Sequence, residues 1–111
     1  MITFILFMHF IADFVLQTDA MAKNKSTSNK FLAHHVFVYN AVMCLFGWQF
    51  ALVNSASHFA IDWCTSRVSS KMWKAGRTHD FFVVIGFDQF LHMAILVATL
   101  PLAELWWLPW E

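Results

Sequence analysis

The strongest constraint on this chain is a spacing. His9 and Asp13 lie four residues apart, as do His58 and Asp62, and Asp88 and His92, each pair embedded in an apolar run. His35 and Tyr39 repeat the spacing in a fourth run, with His34 beside them. Four residues is one helical turn, so both members of each pair project from one helix face. Such placement is costly: an aspartate at a bilayer centre costs roughly 2.5–3.5 kcal/mol on insertion scales. A chain that repeats the cost must aim these groups at one another, at a metal ion, or at water in a cavity.

Composition says what surrounds them. Apolar residues make up 59% and charged residues 13% of the 111 residues, against roughly 25% charged in a soluble domain. The length suits one domain, residues 1–111. Net charge is zero, so no global field recruits nucleic acid, and none is expected as a partner. The fold expected is all-α, an up-and-down four-helix transmembrane bundle in contact with a lipid bilayer. The helices run from about Ile2 to Gln17, Phe31 to Phe46, Phe50 to beyond Arg67, and Asp80 to Leu100. Thr18–Lys30 reads as a polar, disorder-tolerant connection. Gly47 marks a turn, Gly76 a left-handed C-cap, and Asp80 an N-cap. The tail Leu105–Trp110 reads as an interfacial aromatic belt. The first two helices are short for a hydrocarbon core that needs roughly 20 residues per span. No basic residue precedes the first segment and Asp13 interrupts it, so it reads as a retained helix rather than a signal peptide. Cys44 and Cys64 are far apart within apolar runs and read as free, buried thiols.

The charges give an orientation. All seven Lys and Arg fall in two places, Lys23, Lys25 and Lys30, then Arg67, Lys71, Lys74 and Arg77. Up-and-down threading puts both on one side, which the positive-inside rule makes cytoplasmic. The expected topology is multi-pass, with both termini outside.

At a rise of about 1.5 Å per residue the polar groups share one slab in the cytoplasmic half. A divalent cation would neutralise the carboxylates and accept neutral imidazoles as ligands. His9, Asp13, His35, His58, Asp62, Asp88 and His92 are the candidate ligands, more than one zinc ion requires and suited to one or two. Asp13 or Asp88 is the candidate general base. The bland alternative is that the pairs hydrogen-bond across helices without a metal. His79 reads as a surface residue, and His34 as a neighbour of the site, although the two adjacent histidines could exchange roles. Gln17 and Gln89 could orient a ligand or phosphate. Arg67, Lys71 and Lys74 form a basic face that either anchors the chain or holds an anionic headgroup.

The stretch from His9 to Gln17, together with His58–Asp62 and Asp88–His92, resembles the signature of the domain-of-unknown-function 3307 family of small bacterial and phage membrane proteins. The likeness covers essentially the whole chain and implies no activity. A weaker similarity links the helical His/Asp pairs to zinc-dependent phospholipase C and to membrane-bound metal-dependent hydrolases. It implies that His9, Asp13, His58, Asp62, Asp88 and His92 ligate zinc.

The expected function is thus a membrane-embedded, metal-dependent hydrolase of a phosphoester or lipid-linked phosphate. The rivals are a cation or proton transporter and a non-enzymatic membrane factor that binds a host protein. A homodimer is compatible with the length, although no face demands one.

Overall fold

The computed structural model describes residues 1–107, and within them the chain is helical and contains no strand. Helix α1 (Ile2–Phe10) passes directly into a π turn (Ile11–Val15), and a short α2 (Asp19–Asn24) follows. Helix α3 (Asn29–Met43) ends in a 3-10 turn (Cys44–Phe46), and α4 (Trp48–Lys74) and α5 (Thr78–Ala98) complete the bundle. Helix α4 packs along α3 on one side and α5 on the other, while α1 and its π turn close against α3 and α5.

Local chemistry explains the boundaries. In the π turn the Leu16 N–H reaches back five residues to the Ile11 carbonyl at 2.9 Å. The wider turn accommodates one more residue, and both Ala12 and Asp13 face inward. The expected first helix to Gln17 is therefore broken at Phe10. The stretch after Thr18 is ordered, although its composition suggests disorder. The Thr18 hydroxyl accepts from the Met21 N–H at 3.2 Å and caps α2, with Asp19 in its first turn, where a carboxylate complements the helix dipole. Gly47 at φ 101° separates α3 from α4. Gly76 at φ 74° ends α4, with Arg77 N–H bonded to Met72 O at 2.9 Å and Gly76 N–H to Trp73 O at 3.1 Å. These two bonds satisfy the last carbonyls in a Schellman arrangement. Asp80 is not the N-cap of α5, which starts at Thr78; its carboxylate accepts from Arg77 Nε at 2.7 Å within the first turn.

The interior is as polar as it is apolar. Among the described residues, eleven buried side chains are polar or charged against ten that are apolar. Phe7, Phe10, Phe37, Phe82, Phe87 and Phe90 are exposed. The apolar core gathers at one end, where Ile5, Met43, Phe46, Phe50, Ala51 and Leu96 interlock. The C-terminal segment closes that end. Trp106 and Trp107 indoles donate to Cys44 O and Leu45 O at 2.8 and 2.9 Å, and Glu104 N–H to Phe46 O at 3.0 Å. The carbonyls of the 3-10 turn thereby gain donors. Leu108, Pro109 and Trp110 of the expected aromatic belt, and Glu111, lie outside the described residues. Both cysteines are free, but Cys64 is exposed and Cys44 half-buried rather than enclosed.

Among the described helices, one, Thr78–Ala98, is long and apolar enough to cross a membrane, and Ile2–Val15 is apolar but shorter. On length and composition the four expected spans thus reduce to one. Helix α3 has 15 residues, about 22 Å at 1.5 Å per residue. Helix α4 has 27, but its hydropathy is diluted by polar residues that face inward: Asn54, Ser55, His58, Asp62, Ser66 and Ser69 are all buried. Phe50 is fully buried and meets Phe46 edge-on at 5.7 Å. Phe50→Ala is expected to lower the unfolding free energy by about 3–5 kcal/mol, read from the midpoint of a denaturant titration followed by circular dichroism.

Candidate metal centre

Asp62 is the hub of the buried polar cluster. It is 1% exposed, and its Oδ1 faces His92 Nε2 at 3.0 Å. Its Oδ2 lies 3.2 Å from His58 Nε2, 3.5 Å from His35 Nε2 and 3.4 Å from Lys25 Nζ. Asp13, brought inward by the π turn, turns its Oδ1 to His35 Nε2 at 3.0 Å and to His58 Nε2 at 3.4 Å. Four donor atoms from the π turn, α3 and α4 therefore converge: one oxygen each from Asp13 and Asp62, and one nitrogen each from His35 and His58, all within 4.8 Å of one another.

This donor set fits a divalent cation. Zinc bonds of about 2.0–2.1 Å to nitrogen and oxygen imply tetrahedral edges of about 3.3–3.4 Å. The four edges joining an imidazole to a carboxylate run from 3.0 to 3.5 Å, and the two imidazole nitrogens are 3.1 Å apart. Two Nε2 atoms so close can share at most one hydrogen, yet both can direct lone pairs at one ion. Charge is compatible with this. Of the three buried carboxylates (Asp13, Asp62, Asp88), Asp62 alone meets an ammonium, Lys25, so the remaining charge is balanced either by protonated imidazoles or by a divalent ion.

A second set, Asp13, Asp88 and His92, also brings one ligand atom each within 4.8 Å of the others. His92 Nε2 is 3.3 Å from Asp88 Oδ2. Asp13 belongs to both sets, as a carboxylate shared between two ions does in di-metal bundles. Six of the seven expected ligands thus fall into two adjoining sets.

His9 stands outside both. Its Nε2 is 3.8 Å from Asp13 Oδ2, and its ring nitrogens are occupied elsewhere. One consistent proton order runs through it: the Tyr39 hydroxyl donates to His9 Nδ1 at 2.9 Å, and His9 Nε2 donates to Gln89 Oε1 at 3.0 Å. The Gln89 amide then donates to Asp13 Oδ2 at 2.9 Å and to Asp88 Oδ2 at 3.1 Å. The outer carboxylate oxygens are held in place by this relay, and Thr65 donates to Asp88 Oδ1.

Ring stacking orients the central imidazole. His35 Nδ1 and His58 Nδ1 are buried without a hydrogen-bond partner, where metal-binding histidines usually have one. His58 is instead layered between Tyr39 and His92, each 4.1 Å away between centroids and tilted by 24° and 19°. His35 is buried and His34 exposed, so the inward histidine of α3 is His35. His79 is exposed.

A cleft of about 570 Å³ reaches the centre, lined by Asp13, Asp88 and Gln89 and also by Lys23, Lys25 and Ser70. Arg67, Lys71 and Lys74, the basic face expected to border the site, do not line it. Arg67 instead donates to Trp63 O and Asn29 Oδ1, its guanidinium 4.1 Å from the Trp63 ring. Beside the cleft lies a cavity of about 30 Å³ bounded by Lys25, Asp62, Thr65, Ser66 and Asp88 among others, room for about one water. Sequence reasoning misses Lys25 and Thr65 as site residues. The one mark of Thr65 in the sequence is its place three residues after Asp62, on the same helix face. Lys25 has no such helix-face signal, because its position depends on the capped turn at Thr18.

No curated protein and no solved structure matches the chain. Residues 1–107 match the family described as "Protein of unknown function (DUF3307)". The chain belongs to this family.

Proposed function

We propose that this protein is a membrane-embedded, metal-dependent hydrolase of a phosphoester or lipid-linked phosphate. The observation that carries the reading is the convergence of Asp13, His35, His58 and Asp62 on one point beside a cleft lined by lysines. Membrane embedding is supported by the burial of Asp13, Asp62 and Asp88 together with the exposure of Phe7, Phe10, Phe37, Phe82, Phe87 and Phe90. Much of the polarity of α4 faces the interior, from Asn54 to Ser69, so α3 and α4 join α1 and α5 in the bilayer in this reading, with Lys71 and Lys74 at its cytoplasmic end. The basic connections then lie on the cytoplasmic face of a bacterial inner membrane.

Asp13, His35, His58 and Asp62 would hold one ion, and Asp88 and His92 with Asp13 a second. Bound zinc would supply Lewis-acid polarisation of a phosphoryl oxygen and acidify water. With one ion in the four-ligand set, Asp88 is left disengaged from metal and is the better-placed general base, because it borders both the cleft and the water-sized cavity, whereas Asp13 belongs to the filled set. Gln89 and Thr65 fix the direction of the Asp88 carboxylate. A transport path is disfavoured by the apolar end of the bundle, where Ile5, Met43, Phe46 and Phe50 are fully buried.

Three outcomes are expected. The protein should resist carbonate extraction from membranes; release into the supernatant would overturn the embedded reading. Detergent-purified protein should carry one or two zinc ions per chain by elemental analysis, and His58→Ala should lose metal together with phosphate release. Metal-free wild type, or undiminished hydrolysis in that variant, would count against the centre. Asp88→Asn should retain the ion of the four-ligand set while kcat falls about 10²–10⁴-fold, the range for loss of a general base.

A further inference from the structure

Two groups in the cleft are not used by the centre as described. Ser66 is 8% exposed, and its Oγ is buried without a hydrogen-bond partner. It borders both the large cleft and the water-sized cavity. Lys25 borders both as well. Its side chain is 21% exposed, and its Nζ rests 3.4 Å from Asp62 Oδ2, the oxygen that the four-ligand set also needs.

Resting on the metal-dependent reading above, we propose that Lys25 and Ser66 form a phosphate-oxygen subsite, and that Lys25 serves it once a metal ion takes over Asp62. The ammonium and the ion compete for one carboxylate oxygen. An ion at that oxygen repels the ammonium, and the flexible four-carbon stem of lysine lets the head move while its backbone stays. The space open to it is the cleft, where the Ser66 hydroxyl awaits an acceptor and Lys23 adds a second positive charge. An ammonium and a free hydroxyl suit a tetrahedral oxyanion.

The carboxylates of the cleft make the two binding events interdependent. Asp13 and Asp88 line it and repel an anion while their charge is uncompensated. Metal binding removes that repulsion and releases Lys25 together, so phosphate is held only by the metal-loaded protein. Phe14, Phe81, Phe82 and Ile85 line the remaining wall, where an apolar substituent of the phosphate can lie. The phosphate is either free or the headgroup of a lipid, and the wall gives the means to tell them apart.

The test is calorimetry on the full chain in detergent, with zinc alone, then with inorganic phosphate or hexylphosphonate added to zinc-loaded protein. Lys25→Met should tighten zinc binding, by removing the competitor, and weaken phosphate binding about tenfold, the size of one charge-assisted contact. Ser66→Ala should leave zinc affinity unchanged and weaken phosphate by about threefold to tenfold. Lys25→Arg should keep phosphate binding. Tighter binding of hexylphosphonate than of phosphate identifies a lipid headgroup, and equal binding a free phosphate. A merely structural Lys25 would weaken zinc binding when replaced, and that result overturns the proposal. So does phosphate affinity unmoved in both variants while zinc still binds, which leaves the hydrolase reading standing. Wild type that binds no zinc removes the centre and the subsite together.

Discussion

Everything in this bundle answers to the need of Asp62 for partners. A carboxylate enclosed by helical segments is tolerated only when its charge is met at close range, and Asp62 has imidazoles from α3, α4 and α5 and an ammonium from the end of α2 around it. Each partner fixes one segment. Helix α4 runs through the middle of the bundle because it carries the hub, and the neighbours pack where their histidines can reach it.

The spacing of the polar pairs makes much of this legible. His58 with Asp62, and Asp88 with His92, are each one turn apart on regular helix, and an i to i+4 rule transfers to such segments without correction. For His9 and Asp13 the same rule is half right, for a physical reason. Both are buried, but the π turn begins between them, and His9 reaches Tyr39 and Gln89 instead of the ligand sets. A five-residue turn leaves no signature in composition. Lys25 is illegible because a six-residue helix carries too little periodicity to read, although Thr18 followed by Asp19 is a capping signal.

The four expected spans show the opposite limit, since one described helix meets the test of length and composition. Hydropathy averages over all faces of a helix, so a segment with a polar stripe inside and an apolar surface outside scores poorly although its outer face is apolar. In α5 the polar stripe is confined to few positions and the helix passes on length and composition. In α4 the buried stripe from Asn54 to Ser69 and the exposed Gln49, Lys71 and Lys74 together lower the average. Exposure of individual side chains separates the two cases where a window cannot.

The wide turn at Ile11–Val15 divides the first segment into two helical phases. Before it, Ile5 is enclosed in the apolar plug and His9 turns to Tyr39 and Gln89; within it, Asp13 joins the carboxylate cluster. The two phases meet again at Gln89, which accepts from His9 and donates to Asp13, so the aim of the aspartate is tied to the helix before the turn as well as to the turn itself.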